Sequence, residues 1–228
     1  MSNSKELRKR AWQSLKGKYW MAFVVVLVTG LIGGIGNGFV SFGQNLGEVL
    51  SMVDPTEMDS TMALGTLVLN GVVIVSSIVG ALYALFVTNA ITVGVSNYFI
   101  KNTDSKPSFA DAFSGFKVKY GRNIGTLLLV GIKTVLWTLL FIIPGIIKSF
   151  EYAIIPYILA DDSEISSKDA FKKAKEMMKG NKWRLFKLEF SFIGWFVLCV
   201  LTLGIGTFFL IPYVNAAAAE FYVELKNN

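Results

Sequence analysis

Three stretches of this chain carry no charge at all: the residues between Lys18 and Glu48, between Asp59 and Lys101, and between Glu189 and Glu220. An uncharged apolar run of about 18 residues or more can cross the roughly 30 Å hydrocarbon core of a bilayer as one helix. A soluble core of that length would alternate apolar and polar faces, and these stretches do not. The class that follows is an all-α, polytopic membrane protein, read as one membrane domain over residues 1–228. Only 17% of the residues are charged and 53% are hydrophobic, against about 25% charged in an average soluble domain. There is no histidine and a single cysteine, Cys199. An intrachain disulfide is excluded, and the commonest general base and metal ligand is missing. No cofactor is expected: there is no phosphate-loop, dinucleotide, zinc or triad motif, and Gly204-Ile205-Gly206 reads as a turn.

Six spans are expected, arranged as three hairpins. The first runs from Trp20 to about Phe42; it is too long for a signal-peptide core, lacks an A-x-A cleavage site and is read as retained. The second run, Ala63 to Ile100, covers 38 residues, about 57 Å as a helix, so it must protrude, tilt or break, with Asn70-Gly71 as the candidate break. The third, Ile124 to Ile143, is interrupted by Pro144-Gly145, and a fourth follows from Ile146 to Ala160. The fifth covers Leu188 to Leu203, and the sixth ends near Ala219. The fourth and sixth are short enough that full crossing is open.

The basic residues fix an orientation. Six of the 22 Lys and Arg fall in the first 19 residues, five in 101–123, eight in 161–187 and one in the tail. The 43–62 loop holds Glu48, Asp54, Glu57 and Asp59 and no cation. An even number of spans leaves every basic segment on one side, which the positive-inside rule makes cytoplasmic, with both termini there. The expected location is the cell membrane.

The basic segments also resemble one another. Residues 3–23 align without a gap to 166–186, with eight identities in 21 positions, Gly17/Gly180 and Trp20/Trp183 among them. A weaker third copy starts at Ser108, with Gly121 matching Gly180 after a one-residue gap. Each copy opens with a candidate capping box, Asn3…Glu6, Ser108…Asp111 or Ser166…Asp169. Apolar residues then recur at helical spacing: Leu7, Ala11 and Leu15, or Ala170, Phe171, Ala174, Met177 and Met178. The expected unit is a basic amphipathic helix in the membrane interface, a glycine bend, a span, a turn and a second span. Repeat units of about 1–100, 101–160 and 161–228 follow. Gly17, Gly121 and Gly180 serve as bends, and Trp20 and Trp183 as anchors at headgroup depth.

Few residues suggest chemistry. Lys133 lies inside the third span, and Lys148 and Glu151 follow the Pro-Gly turn three residues apart, close enough to pair. Glu151 or Glu220 is a candidate counter-ion for Lys133, and together these four residues sketch an intramembrane polar path. The competing reading has Lys148 and Glu151 snorkelling at a membrane surface. Gly30, Gly34 and Gly38 step by four along one face, as do Gly80 and Ala84 within a second stripe. Such spacing suits close helix packing, within the chain or in a homo-oligomer. Asp161-Asp162 reads first as a helix end and second as an acid pair for catalysis. Anionic membrane lipid is the simpler partner for the cations, which alternate with apolar positions beside spans, and nucleic acid is not expected.

The segments IIPGIIK at 142–148, YILADD at 157–162, MMKGNKWRLF at 177–186, SFIGW at 191–195, LTLGIG at 201–206 and IPY at 211–213 resemble the bacterial integral-membrane family called domain of unknown function 975. They cover most of residues 120–225; the first hundred residues match mainly in pattern. The family is similar in layout to a membrane module fused to some glycerophosphodiester phosphodiesterases, whose catalytic domain has no counterpart in this chain. The resemblance implies a bacterial cell membrane and a six-span layout, and it supplies no substrate. The expected function is non-enzymatic: an accessory, lipid-interacting or envelope-protective factor, alone or with a membrane-protein partner. A small transporter or channel is the alternative, and a membrane enzyme using Asp161 and Asp162 the third reading.

Overall fold

A computed structural model describes residues 2–52 and 59–227; Asp54 and Glu57 of the acidic loop lie outside them. The described residues form helices and no strand. In order these are α1 (Ser4–Leu15), α2 (Tyr19–Ser51), α3 (Ser60–Tyr83), α4 (Asn89–Asp104), α5 (Ser114–Lys117), α6 (Tyr120–Leu140), α7 (Ile142–Tyr152), α8 (Ile155–Asp161), α9 (Ser167–Met177), α10 (Lys182–Phe190), α11 (Ile193–Leu201) and α12 (Ile205–Lys226). A π-helical turn at Ala84–Thr88 joins α3 to α4, and a 3₁₀ turn at Phe109–Phe113 precedes α5. Four stretches among the described residues are long and apolar enough to cross a membrane: Tyr19–Ser51, Ser60–Asp104, Tyr120–Leu140 and Ile142–Asp161. The expected fifth and sixth spans are not among them. Their sequence is divided over α10 and α11, nine residues each, and α12, whose second half is buried at Ala216, Ala217, Ala219, Phe221 and Tyr222.

The chain divides into two compact units, Gly30–Thr88 and the remainder. Within Gly30–Thr88, α2 and α3 run antiparallel. A side chain at Gly80 would meet the Gly36 carbonyl at 2.8 Å and the Val40 side chain at 2.6 Å, so glycine there sets how closely the backbones approach. Tyr83 donates its hydroxyl to the Ile32 carbonyl at 2.7 Å. The expected packing face therefore changes. Gly80 is buried, whereas Gly30, Gly34 and Gly38 are exposed with nothing within 4 Å of a would-be Cβ. Gly36 and Gly43 make the contacts instead. Ala84 lies half-buried in the π turn. Nor does the helix break at Asn70-Gly71: Asn70 returns its amide to the Thr66 carbonyl at 2.9 Å and α3 continues.

The larger unit has a core of α1, α4, α8, α9 and α12, filled by Tyr98, Phe99, Ile155, Ile158, Leu159 and Tyr222 among others. Here the reading of the amphipathic helices is corrected. The stripe Leu7, Ala11 and Leu15 is fully buried and α1 packs on α12, while Ala170, Ala174 and Met178 are fully buried and α9 packs on α8. An apolar stripe is satisfied equally by lipid or by another helix, and both helices found a helix.

The two aligned segments share their local geometry position by position. Asn3 and Ser166 are the N-caps, and Gly17 and Gly180 adopt φ of +78° and +77°. The following helices start at Tyr19 and Lys182. The capping box is complete at Asn3/Glu6; at Ser166 the hydroxyl bonds the Asp169 carboxylate as well as accepting from its amide. The segment at Ser108 departs from them. Its capping box forms, but over a 3₁₀ turn, and the left-handed residue is Lys119 at φ 44°. Gly121 sits inside α6 in open space, so it is not the bend.

Two further turns move. The third and fourth runs part at Phe141, in extended conformation, and Pro144 belongs to the first turn of α7, where a missing N–H costs nothing. The last turn falls at Thr202–Gly204, with Leu203 and Gly204 both at positive φ, so Ile205 and Gly206 already belong to α12.

Candidate functional site: buried carboxylates under a cationic surface

Glu151 on α7 is the most enclosed charge in the expected polar path. Its carboxylate is 5% exposed and accepts from Lys148 at 2.8 Å and from Lys182, at the start of α10, at 2.5 Å. The Lys148–Glu151 pair expected at spacing three is thus present, and the sequence reading missed its third member. Two donors offset much of the cost of desolvating one carboxylate. Lys133 does not reach either proposed counter-ion. Its ammonium lies 3.7 Å from the centre of the Phe171 ring on α9, a cation–π contact that substitutes for an anion. Glu220 instead faces Arg10 at 3.8 Å. The residues sketched as one path have different direct partners: Lys133 and the Lys148–Glu151 pair meet through the touching rings of Phe171 and Tyr152, and Glu220 faces Arg10.

Glu224, one turn beyond Glu220, makes the densest of these contacts. Its carboxylate accepts from Arg10, from Arg184 at 2.5 Å and from the Ser2 backbone amide at 2.8 Å. Burial pushes its pKa up, but the bonds from Ser2, Arg184 and Arg10 outweigh that and hold it at about 2. The cluster ties the segment before α1, the start of α10 and the end of α12 together. No local signal marks it, because its members come from three distant parts of the sequence. The one hint is the spacing of Glu220 and Glu224 on a single helical face.

The paired acids also go separate ways. Asp161 accepts from the Tyr222 hydroxyl at 3.0 Å and from Lys226 at 2.7 Å. Asp162 accepts from the amides of Glu164 and Ile165 at 3.0 and 3.1 Å, an Asx turn that ends α8. Arg122 completes that end. Its guanidinium donates to the carbonyls of Leu159, Asp162, Ser163 and Ile165 at 2.7–3.1 Å, where the helix leaves acceptors unpaired and a cation is favoured.

Around these clusters the surface is cationic. Lys5, Lys9 and Lys16 beside α1, and Lys168, Lys172, Lys175 and Lys179 on or just beyond α9, are exposed, and none forms an ion pair among the described residues. Trp20 and Trp183, three residues after the left-handed glycines, are 70% and 62% exposed. Next to α1 lies an apolar groove of about 530 Å³, with Trp12, Tyr19, Trp195 and Tyr213 among its walls. The arrangement can hold anions at a surface and apolar chains beside it.

Residues 139–228 match the family described as "Protein of unknown function (DUF975)". No curated protein and no solved structure matches this chain.

Proposed function

We propose, with residues 139–228 placed in this family of unknown function as the premise, that the chain is a non-catalytic accessory protein of the cell membrane. It binds anionic lipid, and its basic segments face the cytoplasm. The observation that carries this reading is the set of exposed lysines on and beside α1 and α9 that lack acidic partners among the described residues, next to exposed Trp20 and Trp183. Cations held beside apolar surface are attracted to an anionic leaflet, at about 1 kcal/mol per Lys near the surface. The transporter reading has less support, since Lys133, Glu151 and Glu220 turn to separate partners.

The test uses the full chain in lipid nanodiscs. Phosphatidylglycerol should raise its unfolding temperature relative to phosphatidylcholine alone, and the rise should shrink from about 0.1 M to about 1 M salt as the Debye length falls from about 10 to about 3 Å. Replacing Lys168, Lys172, Lys175 and Lys179 by Glu should abolish the rise. Equal unfolding temperatures in the two lipids overturn the proposal.

A further inference from the structure

We infer that two hairpins of the larger unit, α6–α7 and α11–α12, enter a single leaflet of the bilayer and turn back inside it. This deepens the membrane reading above and rests on it. The argument is one of depth. In α6–α7 the outermost charges are Lys133 and Lys148. Lys133 rests on Phe171 of α9, and Lys172 and Lys175 of that short helix are exposed. At mid-bilayer such lysines cost about 2.5–3.5 kcal/mol each, so α9, and Lys133 with it, belongs near the headgroups. From Lys133 to the end of α6 at Leu140 is about 10 Å, and from Lys148 back to Ile142 about 9 Å.

A second, independent marker gives the same depth in α11–α12. Arg8 of α1 donates to the Ser191 carbonyl at 3.0 Å, and its own carbonyl accepts from the Tyr213 hydroxyl at 3.2 Å. The exposed Lys5 and Lys9 flank it. From Ser191 to Thr202 is about 17 Å along one arm, and from Tyr213 back to Gly204 about 14 Å along the other. Half of a 30 Å hydrocarbon core is about 15 Å.

Beyond these charges both hairpins are apolar, and their tips are unclothed. Phe141, Ile142 and Ile143 are 67–72% exposed and Leu203 is 94% exposed. Both are closed structures rather than frayed ends. Gly145 packs so tightly on Thr138 that a Cβ would lie 2.4 Å from the threonine hydroxyl, and the Gly206 amide donates to the Thr202 hydroxyl at 3.0 Å. Their partner is the acyl layer of the leaflet whose anionic headgroups meet the lysines, by charge complementarity at the base and hydrocarbon at the tip.

Single cysteines at Ile143, Leu203, Glu48 and Lys172, in a Cys199→Ser background, test this in sealed vesicles of lipid and purified protein. A membrane-impermeant maleimide should label Lys172→Cys from one side and Glu48→Cys from the other. Ile143→Cys and Leu203→Cys should react from neither side and label fully once detergent is added. A bimane on either tip should be quenched most by lipids brominated near the acyl terminus. Labelling of the tips from the Glu48 side overturns the inference and leaves the membrane reading standing. Labelling of Glu48→Cys and Lys172→Cys from one side overturns both. Tips that react in lipid-only vesicles from the Lys172 side mean that a protein partner, not lipid, covers them.

Discussion

Glu224 receives two guanidinium groups and a backbone amide, so its charge is part of the fold. Its folded pKa of about 2 lies below the ordinary 4.5. The stabilisation is therefore complete above about pH 4.5 and is lost as pH falls through about 2. Glu224→Gln should cost about 1–3 kcal/mol at neutral pH, at the low end because the Arg10 side chain is 40% exposed and partly screened. The difference in unfolding temperature from the unmodified chain, followed by circular dichroism in detergent, should close between about pH 4.5 and about 2; a pH-independent gap would refute the assignment. The sequence drew attention to Glu220, which ends a charge-free stretch, and not to Glu224, where the bonds converge. Position along the chain reveals an isolated charge. It does not reveal partners 214 and 40 residues away, as Arg10 and Arg184 are.

At the scale of an element, the legible features were those written within a few residues. The caps at Asn3, Ser108 and Ser166 form, and Gly17 and Gly180, read from the sequence as bends, take left-handed backbone. Gly121 looked equivalent in sequence but is helical, because the chain bends two residues earlier at Lys119. Substitution separates the three. Gly17→Ala and Gly180→Ala should each destabilise by about 1–2 kcal/mol, the cost of left-handed backbone for an L side chain. Gly121→Ala, in open space inside a helix, should be neutral or stabilise by up to about 1 kcal/mol. Thermal unfolding of the three variants side by side gives the answer, and three equal losses would contradict the geometry. The Pro144-Gly145 pair teaches the same point. It signals a turn, yet the chain turns at Phe141, since proline is at home in the first turn of a helix and the glycine is needed for contact with Thr138.

For the whole molecule, the sequence specified helices, apolar surface and the segregation of charge, and it left open what each apolar stripe faces. Leu7, Ala11 and Leu15 have the pattern of an interfacial helix and the environment of a protein core. Periodicity measures a face, and both lipid and protein accept that face. Leu7→Ala should cost about 2–4 kcal/mol through the cavity it leaves. Limited proteolysis in detergent should then release residues 1–16 faster than in the unmodified chain; an unchanged rate would mean that the Leu7 stripe does not rest on α12. The pairing of α1 with α12 also sets an order of events during synthesis. Helix α1 finds its seat on α12 only when α12 has been made, about 190 residues later, or about 10–40 s at 5–20 residues per second. Through that interval its leucines need a temporary cover, and a chain halted before Ile205 leaves them bare to whatever surveys unfinished proteins.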